Sequence, residues 1–82
     1  MRNRIIRSEL QIGPLLKDIR VENEFTQAEL SEKTSILQKT ISALENGNTK
    51  STLKSFLNYI NGCNYHIELV KNEDEKIIGE EW

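Results

Sequence analysis

Apolar residues recur along this chain at the spacing of amphipathic helices. The clearest pattern lies between residues 53 and 60, where four apolar residues are spaced i, i+3, i+4 and i+7. This spacing predicts a helix with an apolar stripe in the core. The four residues are Leu53, Phe56, Leu57 and Ile60. Ser51 or Thr52 is placed to cap the start of the helix, and Gly62 lies where a C-terminal cap belongs.

An earlier helix is predicted from the segment that begins at Ser8. Ser8 and Gln11 have the spacing of a capping box, in which the two side chains cap each other's backbone. The apolar stripe that follows consists of Ile12, Leu15, Leu16 and Ile19. Pro14 fits only in a first helical turn. The helix therefore begins near Gly13, or it begins at Ser8 and bends early.

The central stretch, residues 26–47, contains two short helical patterns separated by a tight corner. Thr26 and Glu29 form a second capping box, and we expect Ala28 and Leu30 to face inward. The second pattern ends at an Asn-Gly pair, a standard signal for the end of a helix. Two such short helices are typical of a helix-turn-helix, in which the first helix supports the second and leaves one face of it free to enter a DNA major groove.

Residues 64–70 alternate apolar and polar side chains, which is the period of a half-buried strand. The residues on its apolar face are Tyr65, Ile67 and Leu69. Because a lone strand has unpaired edges, we expect it to pair with the same strand of a second copy in a homodimer. The alternative partner is a short strand at Ile5 and Ile6. We interpret Tyr59, like Tyr65, as an edge or dimer-interface residue.

At 82 residues, the chain corresponds to one small domain that gains from a partner subunit. Its single cysteine, Cys63, cannot form an internal disulfide, and we interpret it as a small buried apolar residue. The sequence contains no Cys/His cluster for a metal, so we expect neither metal nor cofactor. We find no membrane span or signal peptide, which favours a cytoplasmic protein. The only histidine, His66, lacks partners for catalysis, which argues against an enzyme.

Charge is distributed unevenly along the chain, whose net charge is −2. Residues 1–71 contain ten Lys or Arg and eight Asp or Glu, a net charge of +2. Residues 72–82 contain one basic and five acidic residues, a net charge of −4. The basic residues of the N-terminus and the central region are Arg2, Arg4, Arg7, Lys33, Lys39, Lys50 and Lys54. A positive DNA-binding face is therefore possible on an acidic chain.

The stretch TQAELSEKTSILQKTISALENG resembles the central segment of the lambda repressor/Cro-type (XRE) helix-turn-helix family. The T-Q-x-E-L start and the T-I-S-x-L-E-N-G ending are specific in combination, and the resemblance extends from Ser8 to Gly62. Within this family, the chain is most similar to the HipB-type antitoxins. The resemblance implies a mainly α fold, a small four-helix DNA-binding domain with a C-terminal β-strand that pairs across a homodimer.

The domain organisation follows from this resemblance and from the composition. We expect a basic N-terminal arm at residues 1–7 and the helix-turn-helix domain at 8–70, with its dimerisation strand at about 64–70. Residues 71–82 form an acidic tail that is nearly free of core-forming residues, so we expect it to be disordered.

The resemblance also assigns individual residues to DNA contacts. The base-contacting residues are Gln38, Lys39 and Ala43, with Ser42 as an adjunct. The phosphate-contacting residues are Gln27, Thr40, Asn46, Asn48, Thr49 and Lys50. Arg20 and Glu45 match a partly buried ion pair that belongs to the scaffold. Because glutamine makes a bidentate contact with adenine and lysine reaches guanine or phosphate, Gln38 and Lys39 are the main candidates for specificity.

Three residues depart from the family pattern. Ser31 replaces a usual alanine, Ser35 a usual corner glycine, and Leu37 a usual capping serine or threonine. Ser35 costs about 1 kcal/mol if the corner requires a left-handed backbone. Because Leu37 cannot cap the second helix, we expect Ser35 or Thr34 to do so. An exposed Leu37 is a candidate for contact with a thymine methyl group, which we treat as a hypothesis.

These features predict a sequence-specific repressor that binds an inverted-repeat operator as a homodimer. The resemblance implies that it autoregulates its own operon and is the antitoxin of a HipA-like serine/threonine kinase toxin. In that case Ile77, Ile78 and Trp82 form a toxin-docking segment in the tail. The alternatives are a phage-like repressor without a toxin and a protein-binding helical adaptor that does not bind DNA. Steep weakening of binding with salt would exclude the adaptor.

Overall fold

The part of the chain that the structure describes contains four α-helices, as the sequence predicts. The computed structural model describes residues 4–48 and 50–72. The helices are α1 (Ile12–Glu22), α2 (Gln27–Thr34), α3 (Gln38–Glu45) and α4 (Leu53–Gly62), and a 3-10 turn (Glu9–Gln11) precedes α1. α3 packs against both α1 and α2, and α4 packs mainly against α2. The predicted mainly α class with four helices is confirmed.

Helical structure begins near Ser8 with a 3-10 turn, and α1 itself begins close to Gly13, so both predicted starting points are partly correct. The capping box of Ser8 and Gln11 is present but closes the 3-10 turn: Ser8 Oγ accepts from the Leu10 N–H at 3.2 Å, and Gln11 Oε1 accepts from the Ser8 N–H at 3.0 Å. The α-helix itself begins at Ile12. Pro14 therefore lies in the first turn, where the N–H that proline lacks would have no intrahelical partner.

α2 begins with the predicted capping box. Thr26 Oγ1 accepts from the Glu29 N–H at 3.0 Å, and Glu29 Oε1 accepts from the Thr26 N–H at 2.8 Å. Leu30 is fully buried, as expected, but Ala28 is exposed. The prediction that both residues face inward is wrong because residues two apart lie on opposite sides of a helix.

The corner between α2 and α3 is made by Ser35, whose φ of 66° and ψ of 14° are left-handed. A non-glycine residue in this conformation costs about 1 kcal/mol. Thr34 also stabilises the corner, since its Oγ1 accepts from the Ile36 N–H at 3.2 Å. The expectation that Ser35 or Thr34 caps α3 is therefore wrong. Leu37 occupies the N-cap position of α3, and no side chain among the described residues caps that end.

The core is formed by buried apolar residues from all four helices and from the segments between and after them. They are Leu16, Ile19, Leu30, Ile36, Ile41, Leu44, Tyr59, Ile60 and Cys63. Burial raises the pKa of the Cys63 thiol to about 11, which keeps it protonated at neutral pH. The interpretation of Cys63 as a small buried residue is confirmed.

α4 buries only part of the predicted stripe: Ile60 is buried and Phe56 packs against the core. Thr52 caps it as expected, but Leu53 is 69% exposed and Leu57 is 37% exposed. Tyr59, predicted to lie at an edge, is fully buried instead. The prediction is wrong for Leu53 and Leu57 because the spacing counts only apolar residues. α4 contacts the core through Phe56, Tyr59 and Ile60.

Two glycines permit close approach between helices. A Cβ on Gly13 in α1 would lie 2.5 Å from the backbone oxygen of Glu45 in α3. A Cβ on Gly62 in α4 would overlap Cγ2 of Thr34 in α2. Gly62 is therefore a packing residue within α4, and not the predicted cap, because the left-handed residue after the helix is Asn64, with a φ of 67°.

The segments before α1 and after α4 both contact the side of α1 that carries Asp18 and Glu22. Arg4 pairs with Asp18 and Glu22, and the Tyr65 hydroxyl donates to Glu22 Oε1 at 2.7 Å. Within the described part of this single chain, residues 64–72 form no strand, and neither do residues 4–7, which include the alternative at Ile5 and Ile6.

Some predictions concern residues that the structure does not describe. Thr49, the acidic segment 73–82 and its residues Ile77, Ile78 and Trp82 lie outside the described residues. In the described ranges, 4–48 and 50–72, no helix has the length and apolar character needed to cross a membrane.

Candidate nucleic-acid interface

α3 turns one face to the core and the other to solvent. Ile41 and Leu44 are buried and fix the helix against the core. The residues predicted to contact DNA lie on or near the other face. Leu37, Gln38 and Lys39 are exposed, whereas Thr40, Ser42 and Ala43 are half-buried. The most accessible of the predicted base contacts therefore lie in the first turn of α3.

The backbone at the start of α3 has unused donors. The N–H groups of Thr40 and Ile41 donate to the Leu37 carbonyl at 2.9 and 3.0 Å. Within residues 4–48 and 50–72, the N–H groups of Gln38 and Lys39 find no acceptor, because no side chain caps this end. A helix N-terminus with free N–H groups attracts anions. This end of α3 is thus suited to approach a polyanion.

The turn after α3 places three of the predicted phosphate-contacting side chains at the surface. Asn46, Asn48 and Lys50 are all exposed. Gly47, with a φ of 81°, makes the turn. Asn48 Oδ1 accepts from the Lys50 N–H at 2.8 Å. These are donors of the kind that contact DNA phosphates.

Arg20 of α1 and Glu45 at the end of α3 form a buried, bidentate ion pair. Arg20 Nε lies 2.6 Å from Glu45 Oε2, and Arg20 Nη2 lies 3.0 Å from Glu45 Oε1. Arg20 Nη1 also donates to the Phe25 carbonyl at 2.8 Å. The Tyr59 hydroxyl of α4 donates to Glu45 Oε2. Glu45 therefore joins α3 to α1 and α4.

These contacts shift the pKa values of all three groups. Burial alone would raise the pKa of Glu45, but hydrogen bonds from Arg20, Tyr59 and Gln27 outweigh burial and hold this pKa below its ordinary value. The hydrogen bond to Glu45 raises the pKa of Arg20. Burial, and then the bond to Glu45, raises the pKa of Tyr59. The Glu45 carboxylate is thus ionised at neutral pH, and both of its oxygens accept hydrogen bonds.

Gln27, a predicted phosphate contact, is tied to the same carboxylate. It is the first residue of α2, is half-buried, and its Nε2 donates to Glu45 Oε1 at 3.1 Å. The structure therefore places Gln27 beside the end of α3, next to the turn that carries Asn46. The predicted phosphate contacts at Gln27 and in this turn lie close together.

Comparison with known proteins gives the family. Residues 16–70 match the helix-turn-helix family model. The chain is 32% identical to HipB in the structure of a HipB variant–O2 20mer complex, a match that covers 88% of this chain and 100% of that chain with a TM-score of 0.78. The chain belongs to the XRE-type helix-turn-helix family and is HipB-like. Members of this family are DNA-binding regulators and not enzymes.

Other solved structures show the same likeness. This helix-turn-helix chain is 31% identical to a chain of a HipA-HipB-O2-O3 complex, covering 87% of this chain and 100% of that chain with a TM-score of 0.77. The values for a HipB-O4 20mer complex are the same. A search of curated proteins finds no match.

The N-terminal basic residue Arg4 adds no net positive charge to the side of this helix-turn-helix domain that carries α3. Arg4 pairs with Asp18 and Glu22 of α1. At 100° per residue, these two lie on the side of α1 opposite Gly13 and Arg20, which contact α3. Hydrogen bonding to Asp18 raises the pKa of Arg4. Its charge is therefore neutralised away from α3.

Sequence reasoning missed the role of Tyr59 in this helix-turn-helix. Its hydroxyl donates to Glu45 and lies 2.8 Å from the Leu16 carbonyl oxygen. The available signal was its position beside Ile60 in the strongly amphipathic segment of α4, since a buried tyrosine needs a polar partner. Arg20, Glu45 and Tyr59 together form a polar centre that holds the C-terminal end of α3 against α1 and α4.

Proposed function

We propose that this chain is a sequence-specific DNA-binding repressor that acts as the antitoxin of a HipA-like serine/threonine kinase toxin and autoregulates its own operon. The observation that carries the proposal is the start of α3, where Gln38 and Lys39 are exposed beside uncapped backbone N–H groups. The likeness to HipB in complexes with O2 and O4 20mers supports DNA as the ligand. In this account Gln38, Lys39, Ser42, Ala43 and Leu37 face the bases.

A second set of residues is proposed to hold the DNA backbone. They are Gln27, Thr40, Asn46, Asn48, Thr49 and Lys50. Phosphate contacts set the position of the protein on the duplex, and the base contacts of α3 supply the sequence information. Each good base contact contributes about 1–3 kcal/mol of discrimination.

We propose further that the protein binds an inverted repeat as a homodimer, with residues 64–70 paired between copies. Ile67 and Leu69 are 48% and 95% exposed in the single chain, so apolar surface is available for a second copy. Tyr65 is half-buried against Glu22, which holds the start of this segment to the domain. The two α3 helices of such a dimer would lie about 34 Å apart, one turn of DNA.

A single change tests this dimer. Ile67→Asp places a charge in the proposed interface, so we expect monomers in analytical ultracentrifugation and much weaker operator binding. Glu68→Asp, a conservative change at the neighbouring exposed residue, serves as the control and should leave the dimer intact. A dimer that survives Ile67→Asp would place the interface elsewhere.

The proposed protein partner is a HipA-like kinase. Support comes from the similar chain in a HipA-HipB-O2-O3 complex, in which HipB assembles with HipA. We assign Ile77, Ile78 and Trp82 to the docking segment, because they are the apolar residues of an otherwise charged stretch. A repressor that binds DNA and a kinase of this type would work in the cytoplasm, at the nucleoid.

An affinity pull-down from a lysate of the source cell tests the antitoxin role. The baits are the full chain and a version that ends at Lys71, and mass spectrometry identifies the bound proteins. We expect the full chain to retain a HipA-like kinase and the shortened chain to lose it. If neither bait retains a kinase and both still shift promoter DNA, the protein is a phage-like repressor. If neither binds DNA, the adaptor is the better account.

A further inference from the structure

The side chain of Gln27 is oriented by the polar centre of Arg20, Glu45 and Tyr59 at the C-terminal end of α3. Although Gln27 begins a surface helix, it is half-buried, and its Nε2 donates to Glu45 Oε1 at 3.1 Å. The same oxygen accepts from Arg20 Nη2 at 3.0 Å. The amide at the start of α2 is therefore tied to the last residue of α3, the helix proposed to read the bases.

This hydrogen bond determines which part of the amide remains available. An amide nitrogen carries two hydrogens, and one of them is used by Glu45. Within the described ranges, the Gln27 side chain makes no second hydrogen bond. Its other N–H can thus donate to an acceptor outside the protein. A DNA phosphate oxygen is such an acceptor.

The charge of the Glu45 cluster is compatible with a nearby phosphate. A bare carboxylate would repel the DNA backbone, but Arg20 forms a bidentate pair with Glu45, and Tyr59 donates a further hydrogen bond. The ion pair has no net charge. Glu45 can therefore orient Gln27 without placing an uncompensated negative charge beside DNA.

We propose that Glu45 is a positioning residue for operator binding, which holds the Gln27 amide so that its second N–H donates to a DNA phosphate. The inference rests on the proposed function, since it requires that this face bind DNA. A glutamine whose side chain is already ordered loses no rotamer freedom when it binds. For a free glutamine, that loss would weaken binding by on the order of tenfold. The carboxylate that fixes the C-terminal end of α3 thereby also prepares a backbone contact at the start of α2.

A double-mutant cycle tests the coupling between the two residues. Operator affinity is measured by fluorescence anisotropy for wild type, Q27A, E45A (which removes the acceptor oxygen) and the double variant, at one salt concentration and at a temperature where unfolding curves show each protein folded. We expect Q27A to weaken binding about tenfold in the wild-type background and less than about twofold in the E45A background. The control is K39A, which should weaken binding by the same factor in both backgrounds.

The outcomes separate the inference from the proposed function. Equal effects of Q27A in the two backgrounds would overturn the positioning role, because a purely structural Glu45 changes stability without changing what Gln27 contributes. If Q27A has no effect while K39A weakens binding, the positioning role fails and the DNA-binding function stands. If neither change weakens binding, both fail.

A second measurement does not depend on the folding of E45A. Side-chain ¹⁵N relaxation in the DNA-free wild type compares the Gln27 amide with two references. Asn23 is an ordered reference, since its Nδ2 donates to the carbonyls of Ile19 and Cys63 at 2.8 and 2.9 Å. Gln38 is the exposed reference. We expect Gln27 to be as ordered as Asn23, and an amide as mobile as that of Gln38 would overturn the inference.

Discussion

At its C-terminal end α3 is tied to the rest of the domain, whereas its N-terminal end projects exposed side chains. Glu45 accepts hydrogen bonds from Arg20, Gln27 and Tyr59, which belong to the other three helices. In the first turn, Gln38 and Lys39 are exposed, and no side chain in residues 4–48 or 50–72 caps the start of the helix. The two ends are separated by only about 12 Å, the length of eight helical residues.

This difference separates stability from recognition within one short helix. The end that fixes the helix uses buried charge and hydrogen bonds, which are costly to break. The end that projects leaves donors unpaired, which is tolerated because they face solvent and are available to a ligand. Changes at the C-terminal end should therefore act mainly on folding, and changes at the N-terminal end mainly on DNA binding.

The largest effect is expected from Glu45→Ala. This change leaves the Arg20 guanidinium buried without its carboxylate, and we expect it to lower the free energy of unfolding by about 3–5 kcal/mol. Urea unfolding followed by circular dichroism gives the value. Lys39→Ala at the other end is the matched control and should change stability by less than about 0.5 kcal/mol. Equal losses for the two variants would contradict the division between the ends.

Acid should weaken the C-terminal end selectively. Because the pKa of Glu45 is lower in the folded than in the unfolded protein, its contribution is fully present above the unfolded value of about 4.3. It is lost as the pH falls through the folded pKa, where the carboxylate is protonated. The free energies of unfolding of wild type and Glu45→Gln in urea should differ most at pH 7 and converge as the pH falls from about 4.3 through the lower folded pKa of Glu45. A difference that persists unchanged in acid would contradict the assigned role.

The smallest effect is expected from Leu37→Ser. A serine at this N-cap position can accept from a backbone N–H of the first turn of α3, so we expect a gain in stability of about 0.5–1 kcal/mol. Thermal unfolding measures the gain. Binding to operator variants with thymine replaced by uracil tests the methyl hypothesis, because uracil lacks the methyl group. If Leu37→Ser leaves the operator preference unchanged, Leu37 does not contact a thymine methyl.

Local signals in the sequence predicted the helices well. The capping boxes of Ser8 and Thr26 are formed as expected, since each depends only on residues three positions apart. Half of the stripe predicted for α4 is exposed, because burial of Tyr59 and exposure of Leu53 depend on where α4 meets the core. The prediction that Gly62 caps α4 is wrong for the same reason. Its small size permits the close contact with Thr34 of α2.

The candidate site was predicted largely through resemblance to a family, and its internal contacts were not. No local pattern connects Gln27 or Tyr59 to Glu45, because these residues are 18 and 14 positions apart from it in sequence. Such polar contacts depend on the packing of three helices. The roles assigned to DNA contacts remain predictions, which binding measurements on single variants test.

Operator affinity across a salt series, for wild type and Lys39→Ala, tests the central claim most directly. The account predicts that wild type binds promoter DNA of its own operon and that the logarithm of the binding constant falls linearly and steeply with the logarithm of the salt concentration. Lys39→Ala should bind about 1–3 kcal/mol more weakly while unfolding like wild type. Promoter binding that is insensitive to salt, or that Lys39→Ala leaves unchanged, would contradict the assignment of the first turn of α3 to DNA recognition.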